Sequence, residues 1–245
     1  VTRECAFCPN TANLNGEHIW SDWLNPLLPG RKQFNIRNDK RQVIRTWTSP
    51  ELNWKAKVVC KSCNNGWMSN LESQHAKPSL SELITGKTGI LVDQSRARSI
   101  SLFAFKTAVI FDHLMRGRKP FFNNAVRYDF RNSLTIPAGV GVFIAASALS
   151  GRGEANTLYF ESNLTAPNFF HAYVLTYSVE HVVIQVAACR SFGVSAAKVQ
   201  NEFGVPLWPE VPANFVWPAA RIIKTTAEFD EFSDRWNKNT ITMTL

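Results

Sequence analysis

The residues of this 245-residue chain whose spacing most directly implies chemistry are four cysteines, in C-A-F-C (5–8) and C-K-S-C (60–63). Two C-x-x-C hooks suit closure on one tetrahedral ion, and thiolate sulfur is a preferred ligand of Zn²⁺. Cys5, Cys8, Cys60 and Cys63 are therefore expected to hold one structural zinc. A disulfide framework fits less well, because the chain is not short and a fifth cysteine would be left over. A redox hook fits no better, since neither pair follows a thioredoxin-like βαβ pattern. The gap between the hooks exceeds the about 15–20 residues of a plain four-cysteine ribbon, so further structure must be packed between them. Cys189, which ends the apolar run HVVIQVAAC, reads as a small buried hydrophobe.

The elements that would position other chemistry lie between and just after the hooks. NGEHIWSDWLNP (15–26) carries a Glu-His pair, Glu17 and His18. Alone, such a pair is ordinary: it is most often solvated surface or a histidine satisfied locally. RQVIRTWTS (41–49) and NWKAKVVC (53–60) have the β-branched, aromatic and alternating content of strands, broken at Ser49-Pro50, and read as a β-hairpin. NNGWMSNLESQH (64–75) reads as a short helix with Met68, Leu71 and His75 on related turns, its first turn weakened by Gly66.

A zinc hook, a Glu-His pair, a hairpin and a second hook that opens a helix form a recognisable order. Over roughly residues 3–75, in CAFC, GEHIW and VVCKSCNNGW, the chain resembles the HNH, or His-Me finger, endonucleases. The resemblance implies a ββα-metal module that hydrolyses DNA phosphodiester bonds, in a setting such as restriction or defence against foreign DNA, and leaves RNA open as a substrate. It implies that His18 is the general base, and that Glu17 and Asn64 bind Mg²⁺ or another divalent catalytic cation. The family commonly has histidine directly after the second hook; Asn64 departs from that, although an amide oxygen is an acceptable hard ligand. Asn65 competes for the role, and because adjacent helix positions face about 100° apart only one of the two should point at the site. Either asparagine also reads as an ordinary cap at a helix start. Asn53 is the nearest candidate for the family's middle asparagine, which braces the loop holding the histidine.

These residue types suit the reaction. Water must lose a proton near neutral pH, and charge on the transition state and the leaving oxygen must be neutralised. The zinc would take no part, as four thiolates leave it no open position. The competing reading is a non-catalytic zinc module that binds nucleic acid or protein.

The net charge of +8 is uneven: residues 1–70 carry ten basic against five acidic residues, the remainder seventeen against fourteen. A basic excess favours a polyanionic partner. Arg31, Lys32, Arg37, Lys40, Arg41, Arg45, Lys55, Lys57 and Lys61 are the candidate phosphate contacts. Five of the eight tryptophans (Trp20, Trp23, Trp47, Trp54 and Trp67) also lie here, and most are expected in the core.

The remaining sequence divides at a Gly- and Pro-containing stretch, giving an HNH-like module (1–77), a linker (78–95) and a larger domain (96–245). In that domain, 96–116 and 121–134 read as helices, 139–147, 156–161, 170–178 and 181–189 as strands, and 227–238 as a closing helix. The expected class is α+β: a small zinc-stapled ββα-metal module followed by an α+β domain with an antiparallel sheet. His113, His171 and His181 are scattered there and read as core or surface histidines. The N-terminus shows neither a signal nor a transit pattern and no run is apolar enough to span a membrane, so a cytoplasmic protein with no membrane partner is expected. A homodimer stays open as a partner, since two-fold symmetry would suit double-strand cleavage.

Overall fold

In a computed structural model the chain is described over residues 4–12, 14–28, 30, 32–37, 42–49, 55–114, 119–149, 151–161, 171–190, 203–209 and 214–238. The class is mixed α+β, as expected. Its centre is a seven-stranded sheet that combines segments far apart in sequence. β6 (Val140–Ala146), β7 (Arg152–Glu161), β8 (His171–Val179), β9 (Val182–Arg190) and β10 (Gly204–Trp208) take the order β10-β6-β9-β8-β7. β2 (Lys32–Arg37) and β3 (Val43–Ser49) then extend the sheet past β7. All its pairings are antiparallel except β2 with β7, which is parallel.

Both faces of this sheet are covered, which explains why β6 is buried at every position. Successive side chains on a strand point to opposite faces. Val142 and Ile144 accordingly join the main core, while Phe143 and Ala145 join a second cluster with Phe229 and Phe232. The latter two belong to α4 (Thr226–Lys238). The helix begins with a reciprocal cap: the Glu228 N–H donates to Thr225 Oγ1 and the Thr225 N–H donates to Glu228 Oε2.

On the other face lies α2 (Gln94–Leu114), apolar nearly all round and buried from Ser99 through His113. A helix with that pattern belongs between layers. α2 packs against β6, β9 and β10 of the sheet and against the N-terminal elements. Those are β1 (Leu14–His18), β4 (Lys55–Cys60) and a helical run, α1 (61–84). β1 and β4 pair antiparallel, Leu14 facing Cys60 and His18 facing Lys55. α1 is interrupted by two π turns, Asn64–Met68 and Glu72–Ala76, and leaves helical geometry at Gly66 (φ −97°, ψ −113°). α3 (Asn124–Ser133) adds Phe130 to the aromatic cluster of Phe7 and Trp67. A second two-stranded sheet joins β5 (Ile90–Val92) to β11 (Phe215–Trp217).

The expected hairpin of 41–49 with 53–60 is not formed. β3 pairs with β2, and β4 pairs with β1. The reason is visible in KQFNIR (32–37), which alternates Phe34 and Ile36 inward as a strand does. Gly153 on β7 leaves room for this docking, since a Cβ there would lie 2.6 Å from Phe34 Cδ1. The segment between the hooks thus contributes two strands to the sheet of the C-terminal region, and one core runs from Cys5 to Trp217. The stretch expected as a linker, 78–95, carries the end of α1, β5 and the start of α2. Elsewhere the expected helices and strands of 96–190 lie within a few residues of the observed ones, and 227–238 is α4. Among the described residues no helix is long and apolar enough to cross a membrane.

Candidate metal centre and the adjoining charged site

The two hooks meet. Cys5, Cys8, Cys60 and Cys63 are all buried, and their sulfurs lie within 4.8 Å of one another. Cys8 Sγ is 3.6 Å from Cys60 Sγ and 3.7 Å from Cys63 Sγ. Four sulfurs at about 2.3 Å from a tetrahedral Zn²⁺ sit about 3.8 Å apart, so this donor set fits the ion. Local structure explains the arrangement. The first hook is a tight turn in which the backbones of Cys5 and Cys8 pair antiparallel, with no disulfide between them, while Cys60 ends β4 and Cys63 lies in the first turn of α1. Backbone N–H groups of Cys60 (3.2 Å) and Phe7 (3.4 Å) donate to Cys5 Sγ, and Ser62 Oγ lies 3.2 Å from Cys60 Sγ. Hydrogen bonding from Cys63, with those backbone donors, holds the Cys5 thiol down at about 5 despite burial. Cys63 is driven upward by the same partnership with Cys5. From behind, the buried Arg127 of α3 donates to the carbonyls of Cys5 and Ala6, bracing the hook.

Glu17 and His18 sit at the far end of β1 from the sulfurs. Four residue steps of about 3.3 Å separate His18 from Leu14, the residue opposite Cys60, which amounts to roughly 13 Å. The His18 side chain is 25% exposed, with Nε2 3.9 Å from Asp22 Oδ1. Glu17 is turned inward, 4% exposed, and its Oε1 accepts from Lys106 Nζ at 3.0 Å. Lys106 comes from α2, is fully buried, and also donates to Glu72 Oε1 at 2.6 Å. Glu72 lies on α1 at the start of its second π turn. A strand end, a helix and a second helix therefore converge on one ammonium.

The electrostatics of this triad follow from its burial. Desolvation works against the Lys106 charge, but the carboxylates of Glu72 and Glu17 more than offset it and move the amine upward. Desolvation raises Glu17 above the usual carboxylate range, and repulsion from Glu72 adds to this, against the pull of Lys106.

Asn64 is half-buried and Asn65 exposed, both directly beside the second hook. Eight residues at about 1.5 Å each place Asn64 about 12 Å along α1 from Glu72. The helix side chain that shares Lys106 with Glu17 is Glu72, and among the described residues no hydrogen bond joins Asn64 to Glu17 or His18. Glu17, expected to help hold a hard catalytic cation, instead faces the Lys106 ammonium in this structure. Among the described residues the four cysteines are the one cluster of three or more His, Cys, Asp or Glu side chains placed to share an ion. Neither Glu72 nor Lys106 is apparent from motif spacing, though an acid on the helix and a lone lysine inside an apolar run were both signals.

The expected phosphate contacts divide. Lys55, Lys57 and Lys61 are exposed, with Lys55 and Lys57 alternating with buried Ala56 and Val58 and so sharing one face of β4. Arg45 is exposed and lies over the Trp47 ring at 4.9 Å. Arg37 is held inside by Asp230 (2.9 Å) and Glu154 (3.3 Å), its own side chain only 12% exposed. Arg31, Lys40, Arg41 and Asn53, and the side chain of Lys32, lie outside the described residues. Trp20 is buried, and Trp23, Trp47 and Trp67 pack against the core. Cys189 is buried on β9, its thiol pushed up to about 11 by desolvation, as befits an inert small hydrophobe.

Compared with protein-family models, with curated proteins and with solved structures, the chain matches none.

Proposed function

We propose that this protein is a phosphodiester hydrolase of the HNH kind acting on DNA, with His18 as the general base. The observation that carries the reading is the unit itself. Two antiparallel strands and a helix are pinned by four converging cysteines, and the first strand ends on Glu17 and the partly exposed His18. Zinc held by Cys5, Cys8, Cys60 and Cys63 would act as a staple, fixing the start of α1 against β1 and β4, with no open position for substrate. An imidazole accepts a proton near neutral pH, as activation of a water requires. Asp22, four residues on, places a carboxylate oxygen 3.9 Å from the ring's Nε2, where it can help orient the imidazole. The exposed Lys55, Lys57 and Lys61 supply cations to a phosphate backbone on the strand that pairs with the one bearing His18.

A second reading, a non-catalytic zinc module that binds nucleic acid or protein, is favoured by one observation: Glu17 is sealed against Lys106 rather than open to a ligand. The two are separated by incubating the full chain with plasmid DNA in the presence of Mg²⁺, Mn²⁺ or Ni²⁺, with His18→Ala as control. Nicked or linear product from the wild type and none from the variant is the expected result. Cutting by the variant at the wild-type rate removes His18 as the base, and binding without cutting by the wild type selects the second reading.

A further inference from the structure

Lys106 bears most directly on what the charged site can bind. Its ammonium is 0% exposed, lies between carboxylates from two different elements, and packs 5.0 Å from the centre of the Phe103 ring. Residues 89 and 34 positions away are brought to it, so the contact exists only because α2 is threaded between the zinc-stapled unit and the large sheet. We propose that Lys106 is the resident cation of the Glu17–Glu72 pair: it occupies Glu17, one of the two side chains to which the resemblance gives a divalent metal ion, so this pair holds an amine instead of a metal.

The physical case rests on charge and access. Two carboxylates sharing a buried site repel each other and require a counter-charge, and a single ammonium with three donors provides it without a hydration shell. A Mg²⁺-like ion needs six oxygen ligands and gives up water reluctantly. To enter here it would have to displace a desolvated, doubly paired lysine, leaving that charge unpaired in the interior. Lys106 thereby becomes a positioning residue. It ties Glu17, and with it the strand end that carries His18, to α1 and α2. It also gives the C-terminal region a part in the site, since α2 provides the charge. The bearing on cleavage depends on the function proposed above, but the binding claim does not.

Mn²⁺ titration of the zinc-loaded full chain, followed by electron paramagnetic resonance, tests this without any cleavage assay. The wild type should hold no Mn²⁺ that depends on Glu17, so wild type and Glu17→Gln should titrate alike. Lys106→Met should gain one Mn²⁺ per chain, at least about tenfold tighter than any wild-type binding once the competing charge is gone. Adding Glu72→Gln should abolish the gain. A wild-type Mn²⁺ site that Glu17→Gln removes would overturn the proposal, as would a folded Lys106→Met that takes up no ion. If Lys106→Met does not fold, the pair of wild type and Glu17→Gln decides alone: identical titrations support the assignment and a Glu17-dependent ion refutes it. A failure of His18→Ala to abolish DNA cleavage would leave these titrations unchanged, so the two ideas fail separately.

Discussion

The two ends of the β1–β4 ribbon solve opposite electrostatic problems. At the Cys60 end, four buried sulfurs converge in a set whose geometry suits a metal ion. At the His18 end, two carboxylates converge and the positive charge is already present in Lys106. The first end draws the two hooks of the N-terminal unit together, and the second fastens that unit to α2 through an internal ion pair. The two ends thus differ in what they ask of solution: the first offers a donor set that a metal could fill, and the second already carries its counter-charge in Lys106.

Breaking the first end should have the largest effect. Cys60→Ser is expected to abolish tight metal binding, measured as zinc per chain, and to unfold the N-terminal unit, because structural zinc in small modules is worth about 10–16 kcal/mol of apparent binding energy. Normal melting of the variant without metal would remove the staple from this account. A charge removed at the second end should cost less. Lys106→Met leaves the buried Glu17 carboxylate and the partly buried Glu72 uncompensated, so a loss of about 3–5 kcal/mol in denaturant unfolding is expected. A neutral Glu17→Gln or Glu72→Gln alongside it should recover part of that loss, and a double-mutant cycle measures the coupling.

The sign of the pH dependence follows from the raised pKa of Lys106. An amine held above its unfolded value of about 10.4 contributes stability that is complete below that pH and lost as pH rises through the folded value. Alkaline unfolding should therefore begin earlier relative to neutral stability in the wild type than in Lys106→Met/Glu17→Gln/Glu72→Gln, which lacks the triad. His18→Ala should sharpen the contrast between chemistry and structure. A drop of about 10²–10⁴-fold in cleavage is expected with little change in melting, because the ring is partly exposed. The smallest effects belong to the outer face of β4. Lys55→Gln and Lys57→Gln should each reduce the slope of DNA affinity against log salt by about 1, with no change in cleavage position if they touch only phosphate.

How far motif reading reached depends on how local each signal is. The strands of 139–190 and the helix near 96–116 were apparent because alternation and an all-round apolar pattern depend on the next few residues only. The pairing of 41–49 was misassigned because alternation says which face a strand buries but not which strand lies beside it. Residues 32–37, read only as a basic segment, form a strand with Phe34 and Ile36 inward, and its parallel partner, residues 152–156, lies about half the chain away. Arg37 illustrates the same limit: it reads as a free cation in a basic segment, and the fold closes it against Asp230 and Glu154.

What the sequence determined unaided is the four-cysteine set, since two hooks of fixed local spacing can deliver paired sulfurs whatever the rest of the chain does. It also determined the alternation and apolar runs that make the large sheet and α2. Only the tertiary structure decided that Glu72 rather than Asn64 shares Lys106 with Glu17, and that the inter-hook segment extends the C-terminal sheet. Ion pairs and sheet neighbours across 34 to 119 residues of separation carry no periodic trace in sequence, because they arise from which buried faces pack together and not from the order of residues along any one of them.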